Sequence, residues 1–142
     1  MEHIQDLVKN RDVYFVHEGK SVLDTAKYMA ERNIGAVAVL RGDELVGIFS
    51  ERDLMKRVVA AERDLVQTKV EEVMTADPLV VSPQAHIGEC MRTMKEHSFR
   101  HLPICDGRKI KGLLSLRDLL LHDLGEKDGE IQTMRAYIAA GS

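Results

Sequence analysis

The sequence predicts a mixed α/β (α+β) fold in which two β-α-β-β-α units pack about a pseudo-two-fold axis. Three observations carry the prediction. The chain repeats itself, because at an offset of sixty-five residues Val8–Leu54 falls on Val73–Leu119 without a gap. Identities in that alignment include Val16/Val81, Met29/Met94, Gly42/Gly107, Gly47/Gly112, Ser50/Ser115, Arg52/Arg117, Asp53/Asp118 and Leu54/Leu119. Each copy also shows the same succession of β-rich and helical periodicities, and each sets a Gly-Asp or Asp-Gly turn between two apolar runs.

Taken in order, "VYFV" (Val13–Val16) and "PLVV" (Pro78–Val81) read as short strands. In "SVLDTAKYMAERN" (Ser21–Asn33), Val22, Ala26, Met29 and Ala30 fall on one helical face, and Ser21 with Asp24 resembles a capping box. "AVAVL" and "LVGIF" flank "RGDE", and "HLPIC" and "IKGLL" flank "DGRK"; such turns between apolar runs mark hairpins. A second helix starts at Ser50 in one copy and at Ser115 in the other. A strand joined to the next through a helix pairs with it in parallel, and the hairpin then adds an antiparallel strand. The predicted organisation is a first repeat over 1–62, a linker over 63–72, a second repeat over 73–124 and a tail over 125–142. In the tail Ile131, Met134 and Ile138 lie on one helical face.

Composition narrows the function. A net charge of −3 and a pI near 6.1 disfavour a dedicated nucleic-acid binder, which needs cations to neutralise phosphates. No apolar run reaches the ~18 residues of a membrane span, and no signal peptide opens the chain. The expectation is a soluble, cytoplasmic protein without nucleic acid or membrane as partner. Cys90 and Cys105 sit in apolar patterns as small buried hydrophobes, and the faces carrying Met29, Met91 and Met94 read as core.

The tandem unit, closed each time by "GIFSERDL" (Gly47–Leu54) or "GLLSLRDL" (Gly112–Leu119), resembles a pair of cystathionine-β-synthase (CBS) domains, a Bateman module. "VEEVMTADPLVVSP" (Val70–Pro83) and "SFRHLPICDG" (Ser98–Gly107) resemble further stretches of that family, and the likeness spans roughly residues 4 to 124. The resemblance implies a regulatory, usually non-catalytic module concerned with energy sensing. Its ligand would be an adenosine-containing molecule (AMP, ATP or NAD) held between sheet and helices. It further implies a homodimer of four repeats; many such pairs are attached to an enzyme or channel, but this chain is expected to stand free and act on an unidentified protein target.

The residues support two readings of the Ser-x-Arg-Asp corners. Ser50 and Ser115 end strands at helix N-termini, where unpaired N–H groups suit a phosphate. Asp53 and Asp118, one turn inside, accept hydrogen bonds when ionised and can take both hydroxyls of a ribose. Gly47 and Gly112 leave room for a ring or a backbone to approach. Equally, Ser with an acid three residues on is a helix cap. Arg52 and Arg117 are candidates for ion pairs or phosphate contacts. Arg100 and His101 replace Gly35 and Ala36 of the first copy and can grip phosphate, which leaves a second, equally tight site in doubt. Adenine is expected between first and second strands, beside Val16-His17 and Val81-Ser82. Backbone near Ala36, and near Leu102 and Pro103, would read its edge.

No P-loop, Gly-x-Gly-x-x-Gly, Cys-x-x-Cys or His-Glu-x-x-His occurs, so neither nucleotide hydrolysis nor a metal requirement is expected. A sensor of adenosine ligands leads, ahead of a ligand-free scaffold and then a nucleotide-acting enzyme.

Overall fold

A computed structural model of the chain describes residues 3–126 and Ile138. The tail helix expected over 129–140 otherwise lies outside the described residues. The elements are α1 (Gln5–Val8), β1 (Phe15–His17), α2 (Val22–Arg32), β2 (Ala36–Arg41), β3 (Glu44–Ser50) and α3 (Glu51–Asp53), which runs into a π-helical stretch over Leu54–Val59. Then follow α4 (Val70–Val73), β4 (Thr75–Ala76), α5 (Ile87–His97), β5 (His101–Asp106), β6 (Lys109–Ser115) and α6 (Leu116–Glu126).

Both hairpins form where the turn residues placed them. Gly42 and Gly107 take φ of +61° and +64°, a left-handed conformation that costs glycine little. β2 pairs antiparallel with β3, and β5 with β6, each with one register irregularity. The irregularities fall at Val39/Leu40 and Ile104/Cys105, which are equivalent under the sixty-five-residue offset. β1 lies parallel to β2, with Val16 opposite Val39. The strands follow the order β1-β2-β3-β6-β5, and β3 meets β6 through the single pair Glu44 and Lys109.

The strand expected over Pro78–Val81 shrinks to one parallel bridge, Val81 with Ile104. Pro78 has no N–H for a ladder, and Asp77 before it sits at φ +44°, which turns the chain out of strand geometry. Val81 alone keeps its bonds, donating to Pro103 O (3.0 Å) and accepting from Cys105 N–H (2.9 Å).

Helix termini follow local chemistry. Ser21 Oγ accepts from Asp24 N–H at 3.0 Å, and α2 ends on Asn33 in the left-handed region. α5 ends the same way on Ser98.

The core is double, and its two halves exchange parts. Val16, Met29, Val37, Phe49 and Val58 cluster with Val70 and Val73 of α4, the lead-in to the second repeat. Cys90, Met94, Leu102, Leu114 and Leu119 cluster with Val8 of α1 and Ile4 just before it, the lead-in to the first. Backbone bonds fix each exchange: Val70 N–H to Lys20 O and Val22 N–H to Thr68 O, against Ile4 N–H to Ala85 O and Gln5 N–H to Pro83 O. Residues 63–72, expected as a linker, thus contribute the fully buried Val70.

This exchange also explains Gly47 and Gly112, which do not leave room for a ring. A Cβ on Gly112 would meet Val8 Cγ2 at 2.9 Å, and one on Gly47 would strike the Met74 side chain and the Thr75 carbonyl. The sheet is bare there so that the other repeat's lead-in can lie against it. Gly112→Ala should therefore destabilise the protein by about 1–3 kcal/mol, the usual range for overpacking. In urea titrations Val8→Ala should absorb much of that loss, whereas Met74→Ala should leave Gly47→Ala costly, because the Thr75 backbone cannot withdraw. Strict additivity of Val8→Ala and Gly112→Ala would contradict the exchange.

Candidate functional site

At the first corner β3 ends on Ser50 in an extended conformation, and the chain turns directly into α3. Ser50 Oγ accepts from Asp53 N–H at 3.2 Å, while Asp53 Oδ2 accepts from Ser50 N–H at 3.0 Å. The expected cap is formed, and reciprocally. Beyond the cap, Asp53 is only 7% exposed and its Oδ1 is engaged loosely. Thr75 Oγ1 donates to Oδ1 at 3.3 Å, and Arg57 Nε lies 3.6 Å away. Thr75 arrives on the exchanged segment just after α4, so the second repeat supplies the neighbour of the first repeat's carboxylate.

These groups line a cleft of about 310 Å³. Its apolar wall is Ile48, Pro78, Leu79 and Phe99, and its polar wall combines Ser50, Asp53 and Glu51 with Arg52, Arg57, Arg100 and His101. Leu79 and Phe99 are 46% and 37% exposed, an apolar surface left open beside charged groups. Such a cleft takes a ligand with one flat apolar part and one anionic part, because three arginines face two carboxylates.

A comparison with family models places this geometry. The CBS domain model matches residues 4–60 and again 70–125. The chain is a CBS-domain pair. A mitochondrial CBS domain-containing protein of Arabidopsis thaliana is 30% identical over 126 residues, covering 85% of this chain and 61% of that protein. A second curated relative, from Thermofilum pendens, is covered over only 36% of its length, so the pair spans less than two thirds of either. Among solved structures, a CBS-domain protein from Burkholderia ambifaria shares 38% identity at a TM-score of 0.83, covering 92% of this chain and 99% of that one. One from Pyrobaculum aerophilum, solved with AMP, has the same fold at 21% identity and a TM-score of 0.77, covering 89% of this chain and 100% of the other.

Within the pair, the cleft gathers Ser50, Arg52, Asp53, Arg100 and His101 from the residues singled out in the sequence. It does not gather the others. Val16 is buried in the first core, and His17 stands beside Leu40, bonding Gly42 O at 3.1 Å. Ala36 pairs with Ser50 at the corner, so His17 lies four strand residues away, about 13 Å at the usual rise. Val81 is tied to β5, Ser82 bonds Gln84 at 3.0 Å, and Leu102 and Pro103 are buried. None of these lines the cleft. The apolar wall is instead the start of the would-be strand, Pro78-Leu79, together with Phe99. Thr75, Leu79, Phe99 and Arg57 were missed; the left-handed Asp77 and the exchange that bring them together leave no periodic signal.

Ser115, Arg117 and Asp118 occupy the second corner, with Arg117 exposed. Ser115 N–H donates to Asp118 Oδ2 at 2.8 Å, and Ser115 Oγ accepts from Asp118 N–H at 3.0 Å. Here the carboxylate has a further partner, since Arg11 Nη1 donates to Oδ1 at 2.8 Å. Burial would raise the Asp118 pKa, but the bonds from Arg11 and Ser115 outweigh it and hold the carboxyl below its ordinary value.

His101 behaves in the opposite sense from a standing phosphate-binding cation. Burial, the largest influence, pulls its pKa below the ordinary 6.5; Asp118 and Glu51 oppose this and Arg100 adds to it. The unfolded chain therefore binds more protons than the folded one as pH drops past 6.5. Stability should be full above that pH and should drain as the pH falls toward the folded-state pKa. In His101→Gln this part of the loss should vanish from urea midpoints measured between about pH 7.5 and 5. An unchanged slope would show that His101 is not held neutral.

Proposed function

We propose that this CBS-domain pair is a regulatory module that binds a phosphorylated adenosine ligand (AMP, ATP or NAD) in the cleft at Ser50–Asp53. The observation that carries the reading is the pairing of a buried, loosely engaged Asp53 carboxylate with Arg52, Arg57 and Arg100 across one cleft. A ribose would present two hydroxyls to Asp53 Oδ1, its phosphate would lie toward the arginines, and the base would rest on Leu79 and Phe99. The AMP complex of the Pyrobaculum protein supports this choice of ligand class. In this reading the ligand is sensed, not converted. Because the cleft is built by both repeats, occupancy favours whichever packing of the two gives the tighter cleft, and that difference in affinity is the signal.

The signal passes to a second copy of the chain or to a protein target. Met55 and Val59, 57% and 61% exposed on the π-helical stretch, offer the apolar surface for a homodimer. The setting is cytoplasmic in this reading. Among the described residues no helix is long and apolar enough to cross a membrane. The alternative, a scaffold without ligand, is favoured by the complete caps at both corners, which account for Ser50 and Ser115 without any nucleotide.

Thermal melts separate the two. A ligand at about a hundred times its Kd should stabilise the protein by about 2.7 kcal/mol, a shift of several degrees. Asp53→Ala should lower the starting Tm through its lost cap, about 1 kcal/mol, and should also abolish the shift. Asp118→Ala should lose its own cap and keep the shift. No response of the wild type to AMP, ATP or NAD would leave the scaffold.

A further inference from the structure

The two Ser-x-Arg-Asp corners are not equivalent, and one side chain makes the difference. Under the sixty-five-residue offset Thr75-Ala76, which follow α4 and of which Thr75 borders the first cleft, correspond to Asn10-Arg11, which follow α1. Where the first corner receives a hydroxyl and then a methyl group, the second receives a guanidinium. Arg11 Nη1 lies 2.8 Å from Asp118 Oδ1, the oxygen equivalent to the one that Asp53 shows only to Thr75 at 3.3 Å and Arg57 at 3.6 Å. Asp118 Oδ2 is committed to the Ser115 cap. Both oxygens of the second carboxylate are therefore engaged.

A half-exposed ion pair on a surface is worth little, because ordering two long side chains offsets the attraction. This one is better placed. Val8 of α1 and Ile4 just before it are buried in the second core, and Arg11 N–H bonds Val8 O at 3.1 Å. The backbone that carries the guanidinium is thus anchored beside its target. The side chains of Arg11 and Asp118 are 46% and 21% exposed, so the carboxylate end of the pair is largely shielded.

We propose that Arg11 closes the second corner by holding its carboxylate, so that the chain takes one adenosine ligand at Asp53 and none at Asp118. A ribose entering the second corner would have to displace a charge-assisted bond to reach the oxygen it needs, which weakens binding there by roughly tenfold or more. The proposal rests on the adenosine reading of the first cleft, but it is tested separately from it.

Equilibrium dialysis with AMP, ATP and NAD as probes, on the full chain, counts ligands directly. One per chain is expected for the wild type and for Arg11→Lys, and two for Arg11→Ala. The added one should disappear in Arg11→Ala/Asp118→Ala. Arg11→Gln, which keeps the bulk and removes the charge, should behave as Arg11→Ala does and covers a failure of that variant to fold. None in the wild type but one in Arg11→Ala, lost again in the double variant, would uphold the closure while refuting the first-cleft reading. Two in the wild type, no gain in Arg11→Ala or Arg11→Gln, or weaker binding in either would overturn the closure; the last would make Arg11 a ligand contact.

Discussion

Each repeat of this protein is finished by the other. The four-residue helices α1 and α4 are too short to be stable alone, and each lies in the core of the repeat it does not lead. Ile4 and Val8 on one side, and Val70 and Val73 on the other, remove from water the sheet surface that a three-stranded unit leaves bare. The two glycines at the centres of β3 and β6 are the mark of this arrangement, since backbone or a side chain of the lead-in occupies the space a Cβ would need. Neither repeat can therefore hold its shape while the other is lost, and the pair is the unit of folding.

The same exchange builds the two candidate corners. A helix cap made within one repeat supplies the carboxylate, and the residue just past the exchanged helix decides what that carboxylate faces. Thr75 leaves Asp53 receptive, whereas Arg11 satisfies Asp118. In the proposed reading capping and ligand binding coexist at Ser-x-Arg-Asp. The cap uses Oδ2 and the backbone, which fixes the other oxygen at a defined place in the cleft.

Much of this was legible in the residues. The offset repeat gave the architecture, the Gly-Asp and Asp-Gly turns gave both hairpins, and Ser50, Asp53, Arg100 and His101 meet in one cleft although nearly fifty residues separate Asp53 from Arg100. What failed shares a cause. Periodicity says that a segment has an apolar face and does not say which core receives it, so α4 read as linker. Parallel register is likewise unwritten in the chain, and it sets Val16 and His17 opposite Val39 and Leu40, away from the cleft at Ser50. Local conformation misled as well, because the strand propensity of "PLVV" could not survive Pro78 and the left-handed Asp77 before it.

Across the middle of the sheet the two halves share little more than one residue pair, Glu44 with Lys109, and the neighbouring bond from Leu45 N–H to Arg108 O. Six pairs hold each hairpin on either side. The halves are laced together elsewhere, by the exchanged lead-ins: β4 pairs with β3, and the bonds from Val70 N–H to Lys20 O and from Ile4 N–H to Ala85 O cross from one half to the other. Any rocking of one half against the other must therefore strain that lacing, and not only the seam between β3 and β6.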